Sequence, residues 1–176
     1  MRLVIIGMMG CGKSTVGRQL AREIGLPFID TDHMIEAKIG KPIHQIFAEE
    51  GEAAFRRYES EVVAQLSALD DVVIACGGGT LSNPTNREKL RANSIWIYLK
   101  ATPETLWKRL SSSNQPLEKR PLLAVSDPLG RLASLLAERE PIYRQADLII
   151  PTGDQPVQHV VREILKRLPE SILRQP

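Results

Sequence analysis

A chain of 176 residues with 43% hydrophobic content is long enough to bury one core of about five strands with helices on both faces, and is read as a single domain. Lysine plus arginine (23) against aspartate plus glutamate (21) leave a formal charge of +2, so no nucleic-acid or membrane partner is required and any basic character that matters is local. The apolar run behind Met1 is too short for a signal peptide or a spanning helix, and two cysteines, Cys11 and Cys76, make neither a disulfide framework nor a zinc spacing, which points to a reducing cytoplasm.

Strand-like and helix-like segments alternate along the chain without an internal repeat, which predicts parallel strands joined by helical crossovers. Short apolar runs bounded by turn signals predict strands at 3–6, 27–29, 72–75, 95–99 and 148–150. Helices are expected at 13–24, 33–39, 43–50, 52–69, 85–92, 103–110, 129–140 and 157–168. Thr102 before Pro103 is a start signal, an N-cap side chain followed by proline at the first helical position. The segment 111–127, with three serines in a row, Asn114, Pro116, Pro121 and a charged stretch from Glu118 to Arg120, reads as a mobile excursion over the surface.

Between the first strand and first helix, Gly7, Met8, Met9, Gly10, Cys11, Gly12, Lys13 and Ser14 satisfy G-x-x-x-x-G-K-[ST]. Glycines let the backbone wrap a phosphate with N–H groups pointing inward, and the helix N-terminus adds about half a positive charge there. Lys13 is placed to hold the β- and γ-phosphates and Ser14 to ligate Mg²⁺. The loop alone gives nucleotide binding; it does not choose among a kinase, an NTPase switch and a regulatory module.

Asp30, Thr31 and Asp32 follow the second strand, at a carboxyl end where ligands collect in open α/β sheets. In an extended stretch both carboxylates share a side, so one could approach Mg²⁺ while the other accepts a hydroxyl proton. Alternatively, Asp32 caps the next helix. On the helix at 52–69, Phe55, Tyr58, Val62, Leu66 and Leu69 form one stripe; Arg57 falls opposite, while Arg56 lies on its flank with Glu52 four residues before and Glu59 three after. Arg139 lands inside the stripe of Leu132, Leu135 and Leu136, where a guanidinium needs an anion, either an internal carboxylate or a ligand. A planar fork suits a carboxylate, so the two arginines and a basic aspartate suggest a small substrate bearing carboxylate and hydroxyl.

Gly77, Gly78 and Gly79 form a second glycine turn at a strand end, read either as ligand contact or as a turn needing positive φ. Arg120 could fold over the phosphates of a transferring group, and Arg109 could serve the nucleotide or complement a helix dipole.

With these residues in order, the chain resembles the shikimate kinase family from Leu3 to about Leu168. The resemblance rests on Gly7 to Ser14, Asp30-Thr31-Asp32, Phe55-Arg56-Arg57, Gly77-Gly78-Gly79, Arg120-Pro121-Leu122-Leu123, and Arg139 before Pro141 and Tyr143. It implies an α/β three-layer P-loop NTPase fold with a five-stranded parallel sheet in order 2-3-1-4-5, acceptor-binding helices at about 33–60 and a lid at about 111–127. The activity implied is ATP-dependent phosphorylation of the shikimate 3-hydroxyl by a cytoplasmic monomer acting on small molecules, with Mg²⁺ as cofactor. On that pattern Gly10, Cys11, Gly12, Lys13, Ser14, Thr15, Arg109 and Arg120 bind ATP, with Arg109 stacking on adenine, and Ser14 and Asp30 serve the metal. Arg56 and Arg139 bind the substrate carboxylate, Asp32 and the backbone at Gly77 to Gly79 hold its hydroxyls, and Phe47 and Phe55 wall the pocket. Lys13, Asp32 and Arg120 are the implied catalytic residues, Asp32 as the base, and Glu59 orients Arg56. One departure is a slightly longer stretch between Arg109 and Arg120, which includes Gln115 and Pro116.

Overall fold

The computed structural model describes residues 1–113 and 119–173. Strands β1 (Arg2–Ile6), β2 (Phe28–Asp30), β3 (Val72–Ala75), β4 (Ser94–Lys100) and β5 (Leu148–Pro151) form one parallel sheet in the order β2-β3-β1-β4-β5. β1 lies at its centre, with Leu3 opposite Val73 on one side and Ile95 on the other. Leu3 to Ile6, Val72 to Ile74 and Ile97 to Leu99 are almost wholly shielded from water, as expected of strands covered on both faces. The helices are α1 (Lys13–Ile24), α2 (Thr31–Ile39), α3 (Ile43–Leu66), α4 (Pro84–Arg91), α5 (Pro103–Ser111), α6 (Pro128–Tyr143), α7 (Val157–Arg167) and the short α8 (Glu170–Leu173). Among the described residues no helix is long and apolar enough to cross a membrane.

All five expected strands are present; several helix boundaries differ, each for a local reason. α2 starts at Thr31, not at 33, because Asp30 is its N-cap and accepts from the N–H groups of Asp32 (3.0 Å) and His33 (3.4 Å). Asp32 is therefore helical, and the reading of both carboxylates on one extended stretch, or of Asp32 as the cap, is corrected. The helices expected at 43–50 and 52–69 run together through a kink at Gly51, whose φ of 83° and ψ of 170° are non-helical. α3 ends at Leu66, which leaves Leu69 of the expected stripe 41% exposed. α6 continues past Pro141 to Tyr143, one turn beyond the expected stop. Thr102 caps α5 as read, accepting from Thr105 N–H at 3.2 Å.

Residues 114–118, which include Asn114, Gln115, Pro116 and Glu118 of the expected excursion, lie outside the described residues. The part that follows is docked: Pro121–Leu123 form a 3₁₀ turn, and Leu123 is buried in the main core. At the opposite end of the sheet, the buried Arg2 guanidinium donates to the carbonyls of Ser67, Leu69 and Ala92 and ties together the segments that follow α3 and α4. That pole is structural, whereas the carboxyl ends of the strands carry the site.

Candidate active site

Three glycines make the loop between β1 and α1 possible. Gly7, Gly10 and Gly12 have φ of 143°, 80° and 98°, in the region that disfavours side chains. A Cβ on Gly7 would sit 2.8 Å from the Leu99 carbonyl oxygen, and one on Gly10 2.9 Å from Leu110 Cγ, so packing as well as conformation excludes a side chain. Gly12 precedes α1 without any side-chain cap, which leaves the first-turn N–H groups facing the loop's interior. Lys13 Nζ donates to the carbonyls of Gly7 and Met8, each at 2.9 Å, and so holds its ammonium inside the loop. The Ser14 hydroxyl donates to Asp30, which joins the loop to the end of β2.

Beside this loop lies a cavity of about 440 Å³ that brings together Ser14, Asp30, Asp32, Phe47, Phe55, Arg56, Gly77 to Gly79, Arg120 and Arg139. Asp32 Oδ1 is shut off from solvent without a hydrogen-bond partner among the described residues. Burial is the main cause that raises the Asp32 carboxyl from its ordinary 3.8 to about 6; Asp30 adds to it and the Lys13 ammonium opposes it. Arg56 donates to Glu59 at 3.0 Å and to Glu52 at 3.1 Å, and Glu59 is itself buried and held by the Thr80 hydroxyl at 2.7 Å. Arg57 is exposed, as its position on the helix predicts. Phe47 and Phe55 stack at 4.9 Å between centroids, tilted by 42°.

Arg139 is 7% exposed, and among the described residues no carboxylate pairs with it; its Nη1 lies 3.7 Å from Met8 Sδ. The internal salt bridge that could have explained it is thus missing there, and the guanidinium faces the cavity. Arg120 donates to the Ser113 hydroxyl at 3.1 Å, while its Nε is buried without a partner among the described residues.

None of Gly77, Gly78 and Gly79 has a positive φ, so the conformational reading of that turn is set aside. Close approach is the reason for glycine. A Cβ on Gly77 would lie 2.7 Å from Asp32 Oδ1, one on Gly78 3.1 Å from Arg139 Nη1, and one on Gly79 2.5 Å from Arg56 Nη1. The turn is therefore the surface against which the three charged groups converge. Thr31 contributes too, accepting from Gly77 N–H at 2.8 Å.

A second cavity, of about 340 Å³, opens on the other side of the phosphate loop between Cys11, Gly12, Thr15, Arg109 and the segment from Thr152 to Gln155. Arg109 donates to the carbonyls of Gly10 and Cys11 at 3.3 Å each and to that of Gly153, so it clamps the phosphate loop to the segment after β5. Sequence reading missed Thr152 to Gln155. Their signal is positional: they leave the carboxyl end of the last parallel strand. Both cysteines are buried, and burial pushes the Cys76 thiol up, which keeps it protonated and inert.

Sheet order and loop together define a P-loop fold of the small-kinase type. A structure of gluconokinase from Sinorhizobium meliloti shares that fold at 19% identity, with a TM-score of 0.61 over 94% of this chain and 89% of its own. The family model for shikimate kinase matches residues 9–169. A shikimate kinase from Symbiobacterium thermophilum is 49% identical over 171 residues, 97% of each chain. The structure of shikimate kinase from Acinetobacter baumannii in complex with shikimate superposes with a TM-score of 0.88 at 38% identity, covering 94% of this chain and 90% of that one. The shikimate kinase structure from Aquifex aeolicus superposes with a TM-score of 0.78 at 34% identity, covering 94% of this chain and 95% of that one. This chain belongs to the shikimate kinase family.

Proposed function

We propose that this protein transfers the γ-phosphoryl group of ATP to the 3-hydroxyl of shikimate, giving shikimate 3-phosphate and ADP. The observation that carries the reading is the buried Arg139 guanidinium, which has no carboxylate partner among the described residues, on the wall of the same cavity as Asp32 and the end of the phosphate loop. A carboxylated acceptor supplies the anion that this arginine otherwise lacks. Arg56 offers a second fork, already oriented by Glu52 and Glu59.

The assigned roles follow from position. Loop N–H groups and Lys13 hold the phosphates, with the Lys13 ammonium moving from the Gly7 and Met8 carbonyls to the phosphate oxygens. Asp32 accepts the proton of the attacking hydroxyl as the O–P bond forms and the bond to ADP breaks; a carboxyl raised to about 6 is ionised at neutral pH yet more basic than usual. Arg120 lines the same cavity and meets charge developing on the transferred group. Arg109 and the Thr152 to Gln155 segment receive the base of ATP in the second cavity.

The adjacent Ser14 hydroxyl and Asp30 carboxylate fit Mg²⁺, which favours hard oxygen ligands and takes much of its coordination from substrate phosphates and water. Among the described residues no group of three or more acidic, histidine or cysteine side chains is placed to hold a metal by itself. When bound, it neutralises phosphate charge. The deciding experiment is ADP release from MgATP with shikimate, gluconate or nucleoside monophosphates as acceptor. Stimulation by shikimate alone is expected; stimulation by another acceptor would overturn the assignment of Arg56 and Arg139.

A further inference from the structure

We propose that Tyr143 is a positioning residue that sets acceptor selectivity from behind the glycine turn. This inference rests on the kinase reading above. Tyr143 is 2% exposed and does not line the cavity, yet its hydroxyl donates to the Gly78 carbonyl at 2.5 Å, across 65 residues of sequence. Burial drives its phenol strongly upward, so the hydroxyl remains a donor at every working pH.

The peptide linking Gly78 to Gly79 is trans, so its C=O and N–H point in opposite directions. Holding the carbonyl toward buried Tyr143 aims the Gly79 N–H at the cavity, which Gly78 and Gly79 both line. Among the described residues neither the Gly78 nor the Gly79 N–H has a protein partner, whereas Gly77 N–H is taken by Thr31. An acceptor hydroxyl is the partner this geometry provides for.

Tyr143 is itself rigidly held. It stands one helical turn after Arg139, its ring packs on Tyr98 at 5.1 Å, and its hydroxyl lies 3.8 Å from Met8 Sδ, the sulfur that Arg139 also approaches. Gly78 in turn abuts the phosphate loop, since a Cβ there would lie 3.6 Å from Gly7 O and Met9 N. One buried phenol thus keys the acceptor's hydroxyl donor to the guanidinium that takes its carboxylate and to the loop that carries the phosphoryl donor. The neighbouring peptides are held by Thr31, by Thr80 N–H on the Gly77 carbonyl (3.1 Å) and by Ser82 N–H on the Gly79 carbonyl (3.0 Å), so among the described residues the Gly78–Gly79 peptide is the one whose orientation rests on Tyr143.

The test is Tyr143→Phe, which removes only the hydroxyl, assayed with shikimate and with its 4-deoxy and 5-deoxy analogues. Wild-type turnover of shikimate must be seen first; its absence would defeat the kinase reading and leave nothing for Tyr143 to select. The expected result is that the preference for shikimate over at least one deoxy analogue drops about tenfold in the variant, through KM, with KM for ATP within about twofold of wild type. Equal losses on shikimate and both analogues, a matching rise in the ATP KM, or no change would each overturn the proposal. Should the variant fold poorly, ¹⁵N-resolved amide spectra of the wild type decide: shikimate should move the Gly79 N–H downfield and slow its exchange, and an unmoved Gly79 signal would refute the role.

Discussion

Replacing Asp32 by asparagine should stabilise the ligand-free protein and abolish its efficient turnover, with a pH dependence that separates this from any other explanation. The Asp32 carboxyl is raised from 3.8 to about 6, first by burial and then by Asp30, and its Oδ1 has no hydrogen-bond partner among the described residues. The folded state therefore prefers the protonated acid. Below the unfolded value of 3.8 both states are protonated and no penalty exists; between 3.8 and about 6 the unfolded chain ionises first and stability falls; above about 6 the loss is complete. A rise of that size corresponds to a ceiling of about 3 kcal/mol. Asparagine keeps the shape without ionising, so at pH 8 it should raise the melting temperature by about 5–10 °C in a domain of this size, and at pH 4 by almost nothing. Thermal unfolding of both proteins from pH 4 to 8, without nucleotide or acceptor, tests this directly. A pH-independent difference, or a variant less stable than wild type at pH 8, would refute the reasoning. The same ionisation should govern catalysis, with wild-type kcat/KM for shikimate falling as pH drops below about 6.

Other outcomes follow from single contacts. Lys13→Ala removes the ammonium held within the phosphate loop and should lower kcat by about 10²- to 10³-fold with the fold intact by circular dichroism. Arg139→Ala should raise the shikimate KM by about 30- to 100-fold, a loss of about 2–3 kcal/mol for a charge-assisted pair, and leave the ATP KM unchanged; an unchanged shikimate KM would remove Arg139 from the carboxylate site. Gly79→Ala would place a Cβ 2.5 Å from Arg56 Nη1. Pushing Arg56 from its carboxylates strands the buried Glu59, so the melting temperature should fall, and the shikimate KM should rise about tenfold.

Local repetition made much of this molecule legible from its sequence. Strands buried on both faces are unbroken apolar runs, as in Leu3 to Ile6, and the phosphate loop is contiguous because one backbone turn must wrap one anion. Helical spacing likewise predicted the Glu52, Arg56 and Glu59 cluster and put Arg139 on a buried face, since i, i+3 and i+4 neighbours meet whatever surrounds the helix. Contacts between elements were decided only by the order β2-β3-β1-β4-β5, which sets side by side strands that are not consecutive in the chain. That is why the purpose of Gly77 to Gly79, the clamp from Arg109 to Gly153, and the bond from Tyr143 to Gly78 had no local signature. The basicity of Asp32 belongs to the same category: two aspartates two residues apart look alike in sequence, and only the fold gives Asp30 backbone N–H partners and denies one to an oxygen of Asp32.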